Sequence, residues 1–169
     1  KIADVCPDVV TYTCILKACG AAGSLRIGEK IYAEVREQGL EKDIMLGTSL
    51  VDMYVKCDAV ERGRAVFDEL LLHDVVSWNA LISGYVEYGY SVWALDYFDQ
   101  MEAEGISPDT ALLSCVLKAC SNLTAIDKGR DIHRLIMKNG LETDFLIGNG
   151  LIDMYAKCNS LEGAKKAFY

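Results

Sequence analysis

Four aspartates, Asp43, Asp74, Asp109 and Asp144, each follow a small polar residue at a similar distance: Thr13, Thr48, Asn79 and Ser114. A carboxylate accepts hydrogen bonds and donates none. A site built on such pairs therefore selects a ligand edge that presents N–H groups. Singly, these aspartates would be helix caps or solvated loop residues. Recurrence at a fixed place beside a hydroxyl or amide instead points to a binding element repeated along the chain. The other reactive side chains form no constellation. His73 and His133 have no nucleophile or metal partner in view, and no Cys-x-x-Cys pair or zinc-type spacing occurs among the seven cysteines. No catalytic residue, metal ligand or cofactor site is read from the sequence.

The elements that must position these residues repeat as well. Lys17-Ala18-Cys19 returns as Lys118-Ala119-Cys120, and Leu50-Val51-Asp52-Met53-Tyr54 returns as Leu151-Ile152-Asp153-Met154-Tyr155. Residues 9–68 laid on 110–169 give 20 identities in 60 positions without a gap. A fixed period points to a stacked array whose function lies on a surface running across repeats. Within the period, small residues lead apolar stripes at helical spacing: Gly28-Ile31-Tyr32-Val35, Gly63-Val66-Phe67-Leu70, Ala94-Tyr97-Phe98-Met101 and Gly129-Ile132-His133-Ile136. Each follows another stripe, among them Ile15-Leu16-Cys19, Leu50-Val51-Tyr54 and Leu81-Ile82-Tyr85. Gly23, Asp58, Gly89 and Asn159 supply turns between the two, with Thr124 the weakest turn former. Gly39, Gly105 and Gly140 stand where a helix end wants a left-handed residue. The units run 9–43, 44–74, 75–109, 110–144 and 145–169, two helices each, with no strand signal. The fold class is an all-α solenoid.

Bulk composition sets limits. A hydrophobic content of 51% sustains a continuous core, and 25% charged residues do not suggest disorder. No apolar run is long enough to span a membrane. Cys19 with Cys120 and Cys57 with Cys158 recur inside apolar runs, which suits buried thiols in a reducing compartment. A net charge of −8 argues against a polyanionic partner, although the total does not say where the charges lie. The chain opens and closes inside a motif, so it is expected to be part of a longer array, with any targeting peptide outside it.

Val75-Val76-Ser77-Trp78-Asn79-Ala80-Leu81-Ile82-Ser83-Gly84-Tyr85, closing at Gly105-Ile106-Ser107-Pro108-Asp109, resembles the standard pentatricopeptide repeat. The 35-31-35 alternation of unit lengths resembles the plant-type subclass in which standard (P), long (L) and short (S) repeats alternate. Leu16-Lys17-Ala18-Cys19 and its copy match the long type; Leu50-Val51-Asp52-Met53-Tyr54 and its copy match the short type. The order reads L-S-P-L-S, with residues 1–8 as the tail of a preceding P repeat.

The resemblance implies a right-handed superhelical solenoid that binds single-stranded RNA, about one base per repeat. In that family the fifth residue of a repeat faces a base edge and the last residue supports it. The second residues of adjacent repeats sandwich the base. Carried over, the reading pairs are Thr13 with Asp43, Thr48 with Asp74, Asn79 with Asp109, and Ser114 with Asp144; Asn149 is a fifth reader. The sandwiching residues are Val10, Met45, Val76, Ala111 and Leu146. Lys56 and Lys157 match a position that approaches the phosphate backbone. Aspartate favours guanine or uracil, whose ring nitrogens carry N–H. Threonine or serine goes with purines, and asparagine with pyrimidines. Long repeats read weakly in the family, and Ala111 offers only a methyl as a clamp. RNA runs parallel to the chain, so the expected footprint is 5′-(G)GU(G)-pyrimidine-3′.

Trp78 and Trp93 could stack on bases, but their places in or beside the helix stripes assign them to packing, as does the stripe position of His133. Triplet proteins of this kind serve C-to-U editing of mitochondrial or chloroplast RNA, with accessory proteins docking on long repeats. Their chemistry comes from a terminal deaminase-like domain with His-x-Glu and Cys-x-x-Cys motifs. Neither motif occurs here, so the chain itself is not expected to be an enzyme. The rival reading is a helical scaffold that binds peptides in its groove.

Overall fold

A computed structural model describes residues 7–168, and all regular structure among them is helical. The helices are α1 (Val9–Ala21), α2 (Leu25–Glu37), α3 (Ile44–Lys56), α4 (Val60–Glu69), α5 (Val75–Glu87), α6 (Ser91–Ala103), α7 (Thr110–Leu123), α8 (Ile126–Lys138), α9 (Phe145–Lys157) and α10 (Leu161–Phe168). Consecutive helices pack together as α1/α2, α3/α4, α7/α8 and α9/α10, in the all-α architecture expected from the stripes. Of the tail expected over residues 1–8, only Pro7 and Asp8 lie among the described residues, as does all of the last segment except Tyr169.

Turn chemistry explains the boundaries. Gly39, at φ 71°, follows α2 in a Schellman arrangement: Leu40 N–H bonds the Val35 carbonyl at 3.0 Å, and Gly39 N–H bonds that of Arg36 at 3.1 Å. Gly105 and Gly140 end α6 and α8 in the same left-handed conformation. Within the pairs, Gly23, Asp58, Gly89 and Asn159 are also left-handed, as their types suggest. Thr124, the poorest candidate, adopts φ 52° too, and Ala125 N–H closes back on the Cys120 carbonyl at 3.0 Å. Completing the helix end outweighs the local preference of threonine.

The chain divides after Gly84 into two compact units. In the first, α3 packs against α1, α2 and α4. Leu16, Leu46, Leu50, Val51 and Met53 are fully buried, and Phe67 meets Trp78 edge-on at 4.7 Å. Gly28 lets α2 come down on α3, because a Cβ there would lie 2.5 Å from Met53 Sδ. In the second unit, α7 packs against α6, α8 and α9, and α9 also packs against α8 and α10. Its core is Leu112, Leu113, Val116, Leu117, Ile132, Ile136 and Met154. Gly129 faces Met154 here as Gly28 faces Met53. The small residue leading each of these stripes is thus the seat of a thioether from the next helix pair.

Candidate nucleic-acid interface

All four aspartates of the sequence-derived pairs close the N-terminus of the next helix. Asp43 Oδ1 accepts the N–H groups of Met45 and Leu46, both at 3.0 Å, ahead of α3. Asp144 Oδ1 accepts those of Leu146 and Ile147 at 2.9 and 3.1 Å ahead of α9. Asp109 accepts the Leu112 N–H at 2.8 Å. Asp74 and Ser77 cap α5 reciprocally: Ser77 N–H donates to Asp74 Oδ1 at 2.8 Å, and Asp74 N–H donates to Ser77 Oγ at 3.0 Å. These bonds fix each carboxylate against the helix. Around Asp43, Asp74 and Asp144 they engage Oδ1, so a second acceptor oxygen stands beside it at a defined angle.

One or two residues further on, each helix of this set exposes an apolar or small side chain. Val10 is 61% exposed, Met45 53%, Val76 62% and Leu146 59%, while Ala111 is exposed as well. The next apolar residues, such as Leu46, Ile147 and Leu112, are buried. Single exposed hydrophobics are ordinary. Here one stands at the same position of every first helix.

In the unit ending at Gly84, these side chains and polar residues meet. A cavity of about 380 Å³ is lined by Thr13, Lys17, Met45, Thr48, Asp74 and Val76, among others. It brings Thr48 and Asp74 together between Met45 and Val76. A neighbouring cavity of about 340 Å³ is lined by Lys17, Thr48, Asp52, Val76 and Asn79. Both fall within the roughly 300–1,000 Å³ range of ligand clefts. The Oγ1 atoms of Thr13 and Thr48 are buried without a hydrogen-bond partner. By contrast, the neighbouring Ser49 Oγ donates to the Met45 carbonyl at 2.8 Å. A hydroxyl left unpaired costs about 1–3 kcal/mol. Threonine in a helix populates two χ1 rotamers, and one step exchanges hydroxyl and methyl.

In the second unit, Ser114 on α7 is half-buried, and a Cβ added to Gly150 of α9 would lie 3.8 Å from its Oγ. Asn149 is exposed on α9, four residues after the helix begins at Phe145. Asp109 and Ala111 belong to this unit, whereas Asn79 belongs to the first.

The remaining polar residues are occupied in other ways. Lys56 Nζ lies 2.8 Å from Asp52 Oδ2, and Lys157 Nζ lies 2.8 Å from Asp153 Oδ2, each one turn away on its own helix. His73 stacks on Phe67 at 4.1 Å, and its Nε2 lies 3.1 Å from the Phe67 carbonyl. His133 Nδ1 is 2.8 Å from the Tyr155 hydroxyl, and burial lowers its pKa. Trp78 is buried in the core, so packing claims it; Trp93 is partly exposed and stacks 6.3 Å from Tyr85. Cys19 and Cys120 are buried as expected, but Cys57 and Cys158 are only half-buried because they cap the ends of α3 and α9. Burial pushes the Cys120 thiol up to about 12. Among the described residues, no three His, Cys, Asp or Glu side chains group to hold a metal, and no helix is long and apolar enough to cross a membrane.

One residue of the cleft, Lys17, carries no role in the sequence reading. Lys17 and its counterpart Lys118 sit in the repeated Lys-Ala-Cys tripeptide, one turn beyond Thr13 and Ser114. That placement on the helix face was the available signal.

Helix pairs whose first helices each open on an exposed apolar or small side chain, with α1, α3 and α5 bordering the clefts of the first unit, define a helical-repeat protein. The description "Pentatricopeptide repeat domain" fits residues 1–56, and "PPR repeat family" fits residues 73–122, together well over half of the chain. The chain is 40% identical over 98% of its length to pentatricopeptide repeat-containing protein At4g38010 of Arabidopsis thaliana, spanning 30% of that protein. It is 37% identical over 95% of its length to At3g09040, named mitochondrial, and 38% identical over 98% to At1g11290, named chloroplastic, both pentatricopeptide repeat-containing proteins of Arabidopsis thaliana. It spans 16% and 20% of these two. Among solved structures it superposes on the pentatricopeptide repeat protein PPR10 from maize with a TM-score of 0.78, at 23% identity, over 96% of this chain and 24% of that one. PPR10 has also been solved in complex with an 18-nucleotide psaJ RNA element; that structure superposes with a TM-score of 0.75 at 22% identity, over 97% of this chain and 25% of that one. The chain belongs to the pentatricopeptide repeat family.

Proposed function

We propose that this chain binds single-stranded RNA in a base-selective way, as the recognition part of an organellar RNA-processing factor. The observation that carries the reading is the cleft in which Thr48 and Asp74 stand together between Met45 and Val76. A polar pair flanked by two exposed apolar side chains suits a flat, edge-polar ligand, and a nucleobase is such a ligand. Asp74, held by its cap, accepts from a ring N–H; the Thr48 hydroxyl, unpartnered in the free protein, completes the contact to guanine. Asn79 with Asp109 reads uracil by the same logic. Thr13 with Asp43, and Ser114 with Asp144, belong to long repeats and read weakly, with Val10, Ala111 and Leu146 as the further supports and Asn149 a pyrimidine reader. RNA binding by PPR10 and the organellar names of relatives support this direction. C-to-U editing is the processing event proposed for the L-S-P-L-S order. The deaminase chemistry would come from a separate domain, and accessory proteins would dock on the long repeats.

The test is fluorescence anisotropy at low salt with a short unstructured RNA carrying GGUGU beside a scrambled RNA of equal composition. Preference for GGUGU supports the reading. Equal binding of both, or indifference of both to salt, refutes it.

A further inference from the structure

The net charge of −8 is not spread evenly over the fold. Eight acidic residues, four of them the aspartates of the reading pairs, lie in the connections between helices, where Lys42 is the single lysine or arginine. The first helices, α1, α3, α5, α7 and α9, together carry four lysines and three acids. The four are Lys17, Lys56, Lys118 and Lys157, and they fall into two classes. Lys56 and Lys157 are held by Asp52 and Asp153 at 2.8 Å. Asp153 also receives the Ser121 hydroxyl at 3.3 Å. Lys17 and Lys118 are exposed and, among the described residues, have no carboxylate partner. Lys17 lines the two neighbouring cavities that Thr48 and Val76 also line.

A lysine paired on its own helix presents no net charge to a polyanion, and it must surrender its carboxylate before it can take a phosphate. A lone ammonium exchanges only water and a counterion. Side chains on a helix lean toward its N-terminus, so the Lys17 stem runs from its own turn toward that of Thr13. Its four-carbon reach and point charge suit a phosphate oxygen, where the geometric demand is low, more than a base edge.

We infer that Lys17 and Lys118, rather than Lys56 and Lys157, are the cations that hold the RNA backbone in this array. The inference rests on the RNA reading above and adds to it which charges are used. The two long repeats then have a task that does not require them to select a base: each supplies a free ammonium beside a neighbour whose lysine is neutralised. The pairing of Lys56 with Asp52 also sets a limit on affinity that a single substitution removes.

The test compares salt dependence. Anisotropy titrations of GGUGU RNA and of its mismatched control are run over about a tenfold range of salt. The proteins are the parent chain, Lys17→Met with Lys118→Met, Lys56→Met with Lys157→Met, and Asp52→Asn with Asp153→Asn. Single-stranded binding loses about 0.7 in the slope of log K against log salt for each phosphate contact removed. The Lys17/Lys118 double variant is expected to lose about 1.4, with equal loss of affinity on both RNAs. The Lys56/Lys157 pair changes the slope by less than half as much, and the Asp52/Asp153 pair steepens it. Arginine at 17 and 118 restores the parent slope, which separates charge from side-chain packing. An unchanged slope in the Lys17/Lys118 variant, an equal effect from Lys56/Lys157, or a loss confined to the matched RNA overturns the inference. Absence of binding by the parent chain overturns the RNA reading itself.

Discussion

Replacing Thr48 by valine should stabilise the protein and weaken its selection of guanine. The Thr48 Oγ1 is buried without a partner, and the residue lies on α3 among those that line the cleft. Valine keeps the β-branched shape and removes the orphaned hydroxyl. The desolvation relieved is about 1–3 kcal/mol. Both residues have similar helix propensity, so little is given back. For a chain of this length each kcal/mol moves Tm by about 2–4 °C. The neighbour provides an internal control. Ser49 Oγ bonds the Met45 carbonyl at 2.8 Å, so Ser49→Ala removes a satisfied bond and should destabilise by about 0.5–1.5 kcal/mol. Calorimetry or thermal circular dichroism reads both variants, and anisotropy reads their RNA preference. Two adjacent hydroxyl deletions are thus expected to move Tm in opposite directions. A Tm for Thr48→Val at or below that of the parent would show that the hydroxyl is satisfied in the folded protein, and would refute its role as a donor held in reserve.

Other predictions follow from the same contacts. Asp43→Ala removes two cap bonds and should cost about 0.5–2 kcal/mol in thermal unfolding, whereas Asp43→Asn, which still caps, should cost much less. His133 has its pKa lowered by burial from a usual 6.5, so the folded state favours the neutral ring. Its contribution to stability is full above the unfolded value and is lost as pH falls through the lower folded value; His133→Phe should flatten that part of the acid limb in urea titrations. Cys120, buried with its thiol pushed up to about 12, should resist iodoacetamide at neutral pH in the folded chain and react in urea, as mass spectrometry of the labelled peptide would report.

The helix pairs were legible because a 3.6-residue stripe leaves a signature wherever one face is buried, as in Gly28-Ile31-Tyr32-Val35. Left-handed turns were legible where glycine, aspartate or asparagine occupies them. Thr124 shows the limit: closing the end of α7 sets its φ, whatever the residue prefers. Recurrence brought out the aspartates, and the family resemblance pointed to the residues Val10, Met45, Val76 and Leu146, which are exposed. Two things were hidden. The capping bonds of the aspartates and the orphaned threonine hydroxyls depend on rotamers, which sequence does not specify. The neutralisation of Lys56 by Asp52 and of Lys157 by Asp153 was written at i,i+4 spacing, yet it was masked by the match of those lysines to a phosphate-facing position.

In the proposed mode of binding, side chains on the first helices select bases one at a time. The most direct measurement is the affinity ratio for GGUGU against the same RNA with its U replaced by A or by G, in the parent chain and in Asn79→Thr. The parent is expected to prefer U, and Asn79→Thr to shift the preference to G. Each discrimination should be about tenfold, corresponding to roughly 1.4 kcal/mol. An unchanged order of preference in Asn79→Thr, with the parent binding RNA, would contradict the account.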